Sequence, residues 1–147
     1  MKHDLFFDGN VKEYSWTIKT GKKLVEQIRE HPPAYLSGGK LNIKNIDESK
    51  FVALHVGIYW GLGVFIIKDD DQINIMCDSK MIYEIFTKGK KSDNQIINDK
   101  IHFINQLVEL RKLKIKFQLI DTKENLSTRH LFAKGKDTAG RDSFSYV

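Results

Sequence analysis

The first thirty residues mix large apolar and polar side chains in short runs that are typical of β-strands. Turn signals at Gly9-Asn10 and Gly21 separate the runs, and Pro32 ends the last of them because proline cannot donate to a ladder. The pattern predicts three consecutive antiparallel strands, at Leu5–Phe7, at about Tyr14–Lys19 and at Lys23–Arg29.

A longer periodicity follows. Phe51, Leu54, Ile58 and Leu62 recur at the spacing of one helical face, which predicts a long helix capped by Asp47 or Ser49. Residues 34–46, which precede this helix, carry no such pattern and are expected to be irregular. The aspartate run 69–71 that follows it is typical of a surface turn.

The second half of the chain alternates between strand and helix patterns. The predicted elements are a strand at Ile73–Cys77, a short helix around Met81–Phe86, a helix at about Asn94–Leu110, a strand at Ile115–Leu119 and a final helix at about Leu126–Ala133. A hairpin meander followed by such alternation predicts an α/β fold: a five-stranded mixed sheet flanked by helices. We expect one domain over residues 1–135 and a flexible polar tail over 136–147.

Composition narrows the class of protein. The 147 residues suit one domain, and 41% hydrophobic residues are enough for a core. The single cysteine, Cys77, excludes an internal disulfide and a cysteine-based metal cage. A net charge of +5 favours anionic partners, nucleic acid first. No signal-peptide pattern or bilayer-length apolar run is present, so we expect a cytoplasmic protein that is not inserted in a membrane.

Four segments carry the most specific pattern. They are Phe6-Phe7-Asp8-Gly9, the run from Phe51 to Ile58, the run from Ile75 to Lys80 and the run from Asn125 to Leu131. Each motif alone is common, but their order and spacing are specific. In these segments, which span nearly the whole chain, the sequence resembles the type-one ribonuclease H family. The resemblance implies a ribonuclease H-like fold.

The resemblance also implies a chemistry. Members of that family cut the RNA strand of an RNA–DNA hybrid with two Mg²⁺ (or Mn²⁺) ions held by four carboxylates. Magnesium prefers oxygen ligands, and two such ions stabilise the attacking and leaving oxygens of an in-line displacement.

The four carboxylate positions carry over unevenly. Asp8 and Asp78 match the first and third, whereas Lys50 and Arg129 stand where the second and fourth acids belong. Two minus and two plus charges sum to zero, so we predict an internal salt-bridge cluster in a degenerate site rather than a metal site. The alternative is that Asp8 and Asp78 only cap turns, with Lys50 and Arg129 facing solvent.

Other acids are candidates to replace the missing ones. They are Asp47 and Glu48 before the first helix and Asp121 and Glu124 after the last strand, with Asp137 and Asp142 in the tail. If one of them completes the site, Asp8 and Asp78 would be metal ligands. The loop 121–125 also lacks the histidine that assists product release in active relatives.

Nucleic-acid contacts are expected from the lysine loop, Lys88, Lys90 and Lys91, and from Asn125. The loop lysines would contact phosphates, with an affinity that falls as salt rises. The alternative for the loop is an ordinary solvated turn.

Three functions follow. The first is a nucleic-acid-binding protein that binds RNA–DNA hybrid, duplex RNA or a nucleoprotein complex, with impaired cleavage and no cofactor. The second is an active, metal-dependent ribonuclease H with relocated acids. The third is an assembly module, supported by the tail aromatics Phe144 and Tyr146.

Overall fold

A computed structural model describes residues 1–33, 42–129 and 131 of the protein. Its strands are β1 (Lys2–Gly9), β2 (Glu13–Thr20), β3 (Lys23–Glu30), β4 (Gln72–Cys77) and β5 (Lys114–Leu119). Its helices are α1 (Ile46–Gly63), α2 (Lys80–Lys88) and α3 (Gln95–Leu110), followed by a 3₁₀ turn at Thr122–Glu124. Residues 126–129 and 131 are helical and are called the last helix below.

The five strands form one sheet in the order β3-β2-β1-β4-β5. Strands β1, β2 and β3 are antiparallel neighbours, while β4 lies parallel to both β1 and β5. This confirms the predicted mixed sheet and its antiparallel first three strands. Because β1 and β4 run in the same direction, their carboxyl ends meet at one edge of the sheet.

The apolar stripe of α1 covers one face of the sheet, as its periodicity predicted. Phe51, Leu54 and Ile58 are fully buried in the core. A Cβ atom at Gly57 would lie 3.2 Å from the side chain of Trp16 on β2, so the glycine lets helix and sheet approach closely.

The predicted cap of α1 was wrong. Asn45 is the N-cap, and its side chain accepts a hydrogen bond from the backbone N–H of Glu48 at 2.9 Å. Asparagine caps a helix as well as aspartate or serine does, so the cap lies two residues before Asp47. Asp47 and Ser49 therefore lie inside the helix.

Several predictions fall on residues that lie outside the described ranges. They concern the flexible tail 136–147 with its acids and aromatics, the irregular stretch at 34–41 and the end of the final helix. Within the described ranges, no helix combines the length and the apolar character needed to cross a bilayer.

Candidate active site

Three charged side chains meet at the edge of the sheet where β1 and β4 end. The ammonium Nζ of Lys50 lies 2.7 Å from Oδ1 of Asp78 and 3.7 Å from Oδ1 of Asp8. The side chains of Lys50 and Asp8 are each 11% exposed, and that of Asp78 is 2% exposed. We call this group the charged cluster.

Strand register and a glycine bring the three residues together. Phe6 pairs with Met76 in the parallel ladder, so Asp8 and Asp78, two residues further along each chain, reach the same edge. A Cβ atom at Gly9 would lie 2.1 Å from Oγ of Ser49. Glycine at position 9 therefore allows the first turn of α1, and Lys50 with it, to sit against the end of β1.

The remaining oxygens of the two carboxylates accept hydrogen bonds from the protein. Oδ2 of Asp8 accepts from the hydroxyl of Thr128, and its Oδ1 accepts from the N–H of Gly9 at 2.8 Å. Oδ2 of Asp78 accepts from the side-chain amide of Asn125 at 3.1 Å. All four oxygens thus face protein donors or the Lys50 ammonium.

Burial and charge shift the protonation of the cluster in a consistent way. Burial raises the pKa of Asp8, and the hydrogen bond from Thr128 and the charge of Lys50 only partly offset it. Burial alone would lower the pKa of Lys50. The hydrogen bond to Asp78 and the charges of Asp8, Asp78 and Asp47 outweigh burial, so the pKa of Lys50 is raised and the ammonium stays charged at neutral pH.

Arg129 lies outside the cluster, which corrects the expected four-residue arrangement. Its side chain is exposed, and its Nε donates to the carbonyl of Leu126 at 3.5 Å, one turn back in the last helix. The cluster therefore sums to −1, two carboxylates minus one ammonium, rather than to zero.

Of the candidate replacement acids in α1, Asp47 lies beside the cluster and Glu48 does not. Oδ1 of Asp47 is 3.5 Å from the hydroxyl of Ser79, the residue after Asp78. Glu48 is buried elsewhere: its carboxylate accepts from the backbone N–H of Lys44 and from the side chain of Asn94, the N-cap of α3. Its position two residues before Lys50 points it away from the sheet edge.

The replacement acids after β5 are exposed. The carboxylate of Glu124 accepts from the backbone N–H of Asp121 at 2.9 Å, which stabilises the 3₁₀ turn. Across residues 1–33, 42–129 and 131, no three His, Cys, Asp or Glu side chains converge as a metal site would require. The two aspartates and the lysine that the described residues bring together at this edge do not suit a pair of magnesium ions, which prefer several oxygen ligands.

Asn125 has a different role from the predicted nucleic-acid contact. It is 2% exposed, and its side-chain amide donates to the carbonyl of Phe7 at 2.9 Å as well as to Asp78. Those donors are committed inside the protein, so Asn125 positions the last helix instead.

Thr128 is a site residue that the sequence analysis did not predict. Its hydroxyl contacts Asp8, which is 120 residues away in the chain, and no local pattern reveals such a contact.

The lysine loop is partly neutralised. Nζ of Lys90 lies 2.7 Å from the carboxylate of Glu84, and Nζ of Lys88 lies 3.4 Å from it. Lys91 is exposed. The two lysines of these pairs are exposed, and ion pairs of that kind are weak in water.

Comparison with known proteins identifies the fold. No family model and no curated protein matches the chain. Solved structures do match it, and the chain has a ribonuclease H-like fold.

Three of these structures illustrate the likeness. The N-terminal RNase H domain of a Mycobacterium tuberculosis protein, solved as a maltose binding protein fusion, is 13% identical with a TM-score of 0.66, over 88% of this chain and 95% of that one. RNase H1 from the archaeon Halobacterium salinarum is 12% identical with a TM-score of 0.65, over 90% and 99%. LC11-RNase H1 in complex with RNA/DNA hybrid is 11% identical with a TM-score of 0.64, over 87% and 91%.

Proposed function

We propose that this protein binds RNA–DNA hybrid or duplex RNA and does not cleave it. One observation carries the proposal: the Lys50 ammonium lies between Asp8 and Asp78 and bonds Asp78 at 2.7 Å. Fold and charge support the binding half, since a structural neighbour was solved with RNA/DNA hybrid and this chain carries a net charge of +5.

The electrostatics of the cluster support the absence of cleavage. A divalent ion placed between Asp8 and Asp78 would meet the Lys50 ammonium, whose displacement leaves a buried cation without its partners. Effective penalties for an unpaired buried ion are several kcal/mol. The internal ammonium therefore competes directly with any metal ion at this edge. Binding without cleavage needs no cofactor.

A cleavage assay on a labelled RNA–DNA hybrid tests the proposal. With Mg²⁺ or Mn²⁺ present, we expect the wild-type protein to release no more product than the double variant Asp8→Asn, Asp78→Asn. Binding of the uncut hybrid is measured on the same samples by fluorescence anisotropy. Metal-dependent cleavage that disappears in the double variant would refute the non-cleaving half, and no binding at low salt would refute the other half.

The position of Asp47 favours one rival function, an active ribonuclease H with a relocated acid. Asp47 is half-buried beside Ser79 and contributes to the raised pKa of Lys50. The rival requires cleavage by the wild-type protein that is lost in both Asp47→Asn and Asp78→Asn. Glu48→Gln serves as its matched control, because the Glu48 carboxylate bonds Lys44 and Asn94 instead.

A further inference from the structure

The sheet face opposite α1 carries a row of basic side chains at the end remote from the charged cluster. In the ladders, Asp4 pairs with Lys19 on β2 and with Asn74 on β4, and Asn74 pairs with Lys116 on β5. In the adjacent row, Gln72 lies between Lys2 and Lys114. Directly paired residues share a face, so these side chains form one surface.

Side-chain hydrogen bonds fix the middle of this surface. The amide of Gln72 donates to Oδ1 of Asn74, and the amide of Asn74 donates to Oδ1 of Asp4, both at 3.0 Å. The four lysines lie around this polar ladder, and all four are exposed. We call the surface formed by Lys2, Lys19, Lys114 and Lys116 the basic sheet face.

The two rows of this face carry more lysines than acids. None of its four lysines forms an ion pair within the described part of the chain. Asp4 is the single acid in the two rows, so four plus charges and one minus charge leave +3. In the lysine loop, by contrast, Glu84 pairs with both Lys88 and Lys90.

Protection of a sheet edge explains only part of this pattern. Lysines on an edge strand discourage pairing with another chain, and β5 is an edge strand, which accounts for Lys114 and Lys116. Lys2 and Lys19 lie on the interior strands β1 and β2, where no edge needs protection. Edge protection therefore does not account for their alignment with the β5 lysines across the sheet.

We propose that the basic sheet face binds the phosphate backbone of duplex nucleic acid. This inference rests on the proposed function and assigns a binding surface to it. Lys19 and Lys116 are three strand spacings apart, roughly 14 Å at about 4.8 Å per spacing. An A-form duplex presents a wide, shallow minor groove, and flexible lysines this far apart can contact the phosphate backbones on its two sides.

The face suits a duplex better than a single strand. Proteins that hold single strands combine positive charge with exposed aromatic rings on which bases stack. The aromatic ring in the neighbouring row of this face, Phe6, is 7% exposed and packed away from solvent. A flat surface of lysines and amides offers phosphate contacts without base stacking.

Salt dependence of binding to an RNA–DNA hybrid of fixed length tests the assignment. Each lost phosphate contact makes the slope of log K against log salt shallower by about 0.9, so we expect Lys114→Gln, Lys116→Gln to reduce it by about 1.8. Between about 50 and 200 mM salt, wild-type affinity should then fall roughly tenfold further than that of the variant. The double variant Lys2→Gln, Lys19→Gln should reduce the slope by a similar amount.

The matched control removes the same charge elsewhere. Lys12 lies in the β1–β2 turn and Lys44 precedes α1, and both are exposed, so Lys12→Gln, Lys44→Gln should keep the wild-type slope. If both sheet-face variants match this control while the wild-type protein binds, the basic sheet face is not the binding surface. If the wild-type protein binds no duplex at all, the proposed function itself fails. Circular dichroism establishes that each variant is folded.

Discussion

At the scale of single residues, the Lys50 ammonium is buried between two carboxylates that would repel each other without it. Removing one partner of such a group leaves an uncompensated buried charge, which is more damaging than the loss of an exposed ion pair. Arg129 provides the contrast, because this second cation, which was also predicted to join the cluster, lies in solvent.

We therefore expect Lys50→Met to lower the free energy of unfolding by about 3–5 kcal/mol. Arg129→Ala should change it by less than about 0.5 kcal/mol, as exposed substitutions do. Urea denaturation followed by tryptophan fluorescence measures both. Equal effects of the two substitutions would contradict the placement of Lys50 in the cluster.

The raised pKa of Lys50 gives this stabilisation a characteristic pH dependence. A folded-state pKa above the ordinary 10.5 means that the contribution is complete below that value and is lost as pH rises through the folded pKa. The difference in unfolding free energy between wild type and Lys50→Met should stay constant from neutral pH and shrink above about pH 10.5. A difference that already shrinks below pH 9 would show that Lys50 is not held as a cation.

At the scale of elements, the last helix is attached to the sheet through polar side chains. Asn125 donates to the carbonyl of Phe7 and to Asp78, and Thr128 donates to Asp8. The hydroxyl of Ser15 donates to the carbonyl of Ser127 at 3.0 Å. The two aspartates thus accept hydrogen bonds from this helix in addition to pairing with Lys50. This gives the aspartates a structural role that requires no metal.

Asn125→Ala tests that attachment. The change leaves the carbonyl of Phe7 and one oxygen of Asp78 without their donor, so we expect a loss of about 1–3 kcal/mol of stability. Amide hydrogen exchange should accelerate at residues 126–129 more than in α1. Asn105→Ala, at an exposed position of α3, is the control, and an equal response of the two variants would argue against the anchor.

The sequence predicted those features that repeat locally or match an ordered motif. The stripe of Phe51, Leu54 and Ile58 located α1, and two Asp-containing motifs located the edge where β1 and β4 end. Contacts between distant residues left no such pattern. Asp71, which looked like part of a surface turn, is buried and accepts a hydrogen bond from His3 at 2.8 Å, 68 residues away.

Side-chain direction was the other feature that spacing could not supply. Lys50 and Arg129 were both predicted to join one salt-bridge cluster, yet one points into the cluster and the other into solvent. Glu48 and Asn125 both turned out to be committed to internal hydrogen bonds. The direction of the side chains in the first turn of a helix depends on the position of its N-cap. The N-cap of α1 was predicted wrongly.

At the scale of the whole molecule, the net charge and the charged cluster differ in the ligands that they favour. The net charge of +5 favours a polyanion, while the charged cluster retains only one net negative charge for any divalent ion. We expect hybrid binding in EDTA to be at least as tight as in Mg²⁺ at matched ionic strength, because no metal bridges protein and phosphate and Mg²⁺ competes with lysines for phosphate. Hybrid binding that requires Mg²⁺ would contradict the claim that no metal bridges protein and phosphate.

The most direct test of the central claim is calorimetric titration of the wild-type protein with Mg²⁺. Lys50→Glu, which places a third carboxylate beside Asp8 and Asp78, supplies the comparison and is expected to gain saturable binding. For the wild-type protein we expect no saturable heat, because Lys50 already occupies the space between the two carboxylates. Stoichiometric Mg²⁺ binding that is abolished by Asp8→Asn, Asp78→Asn would contradict the claim.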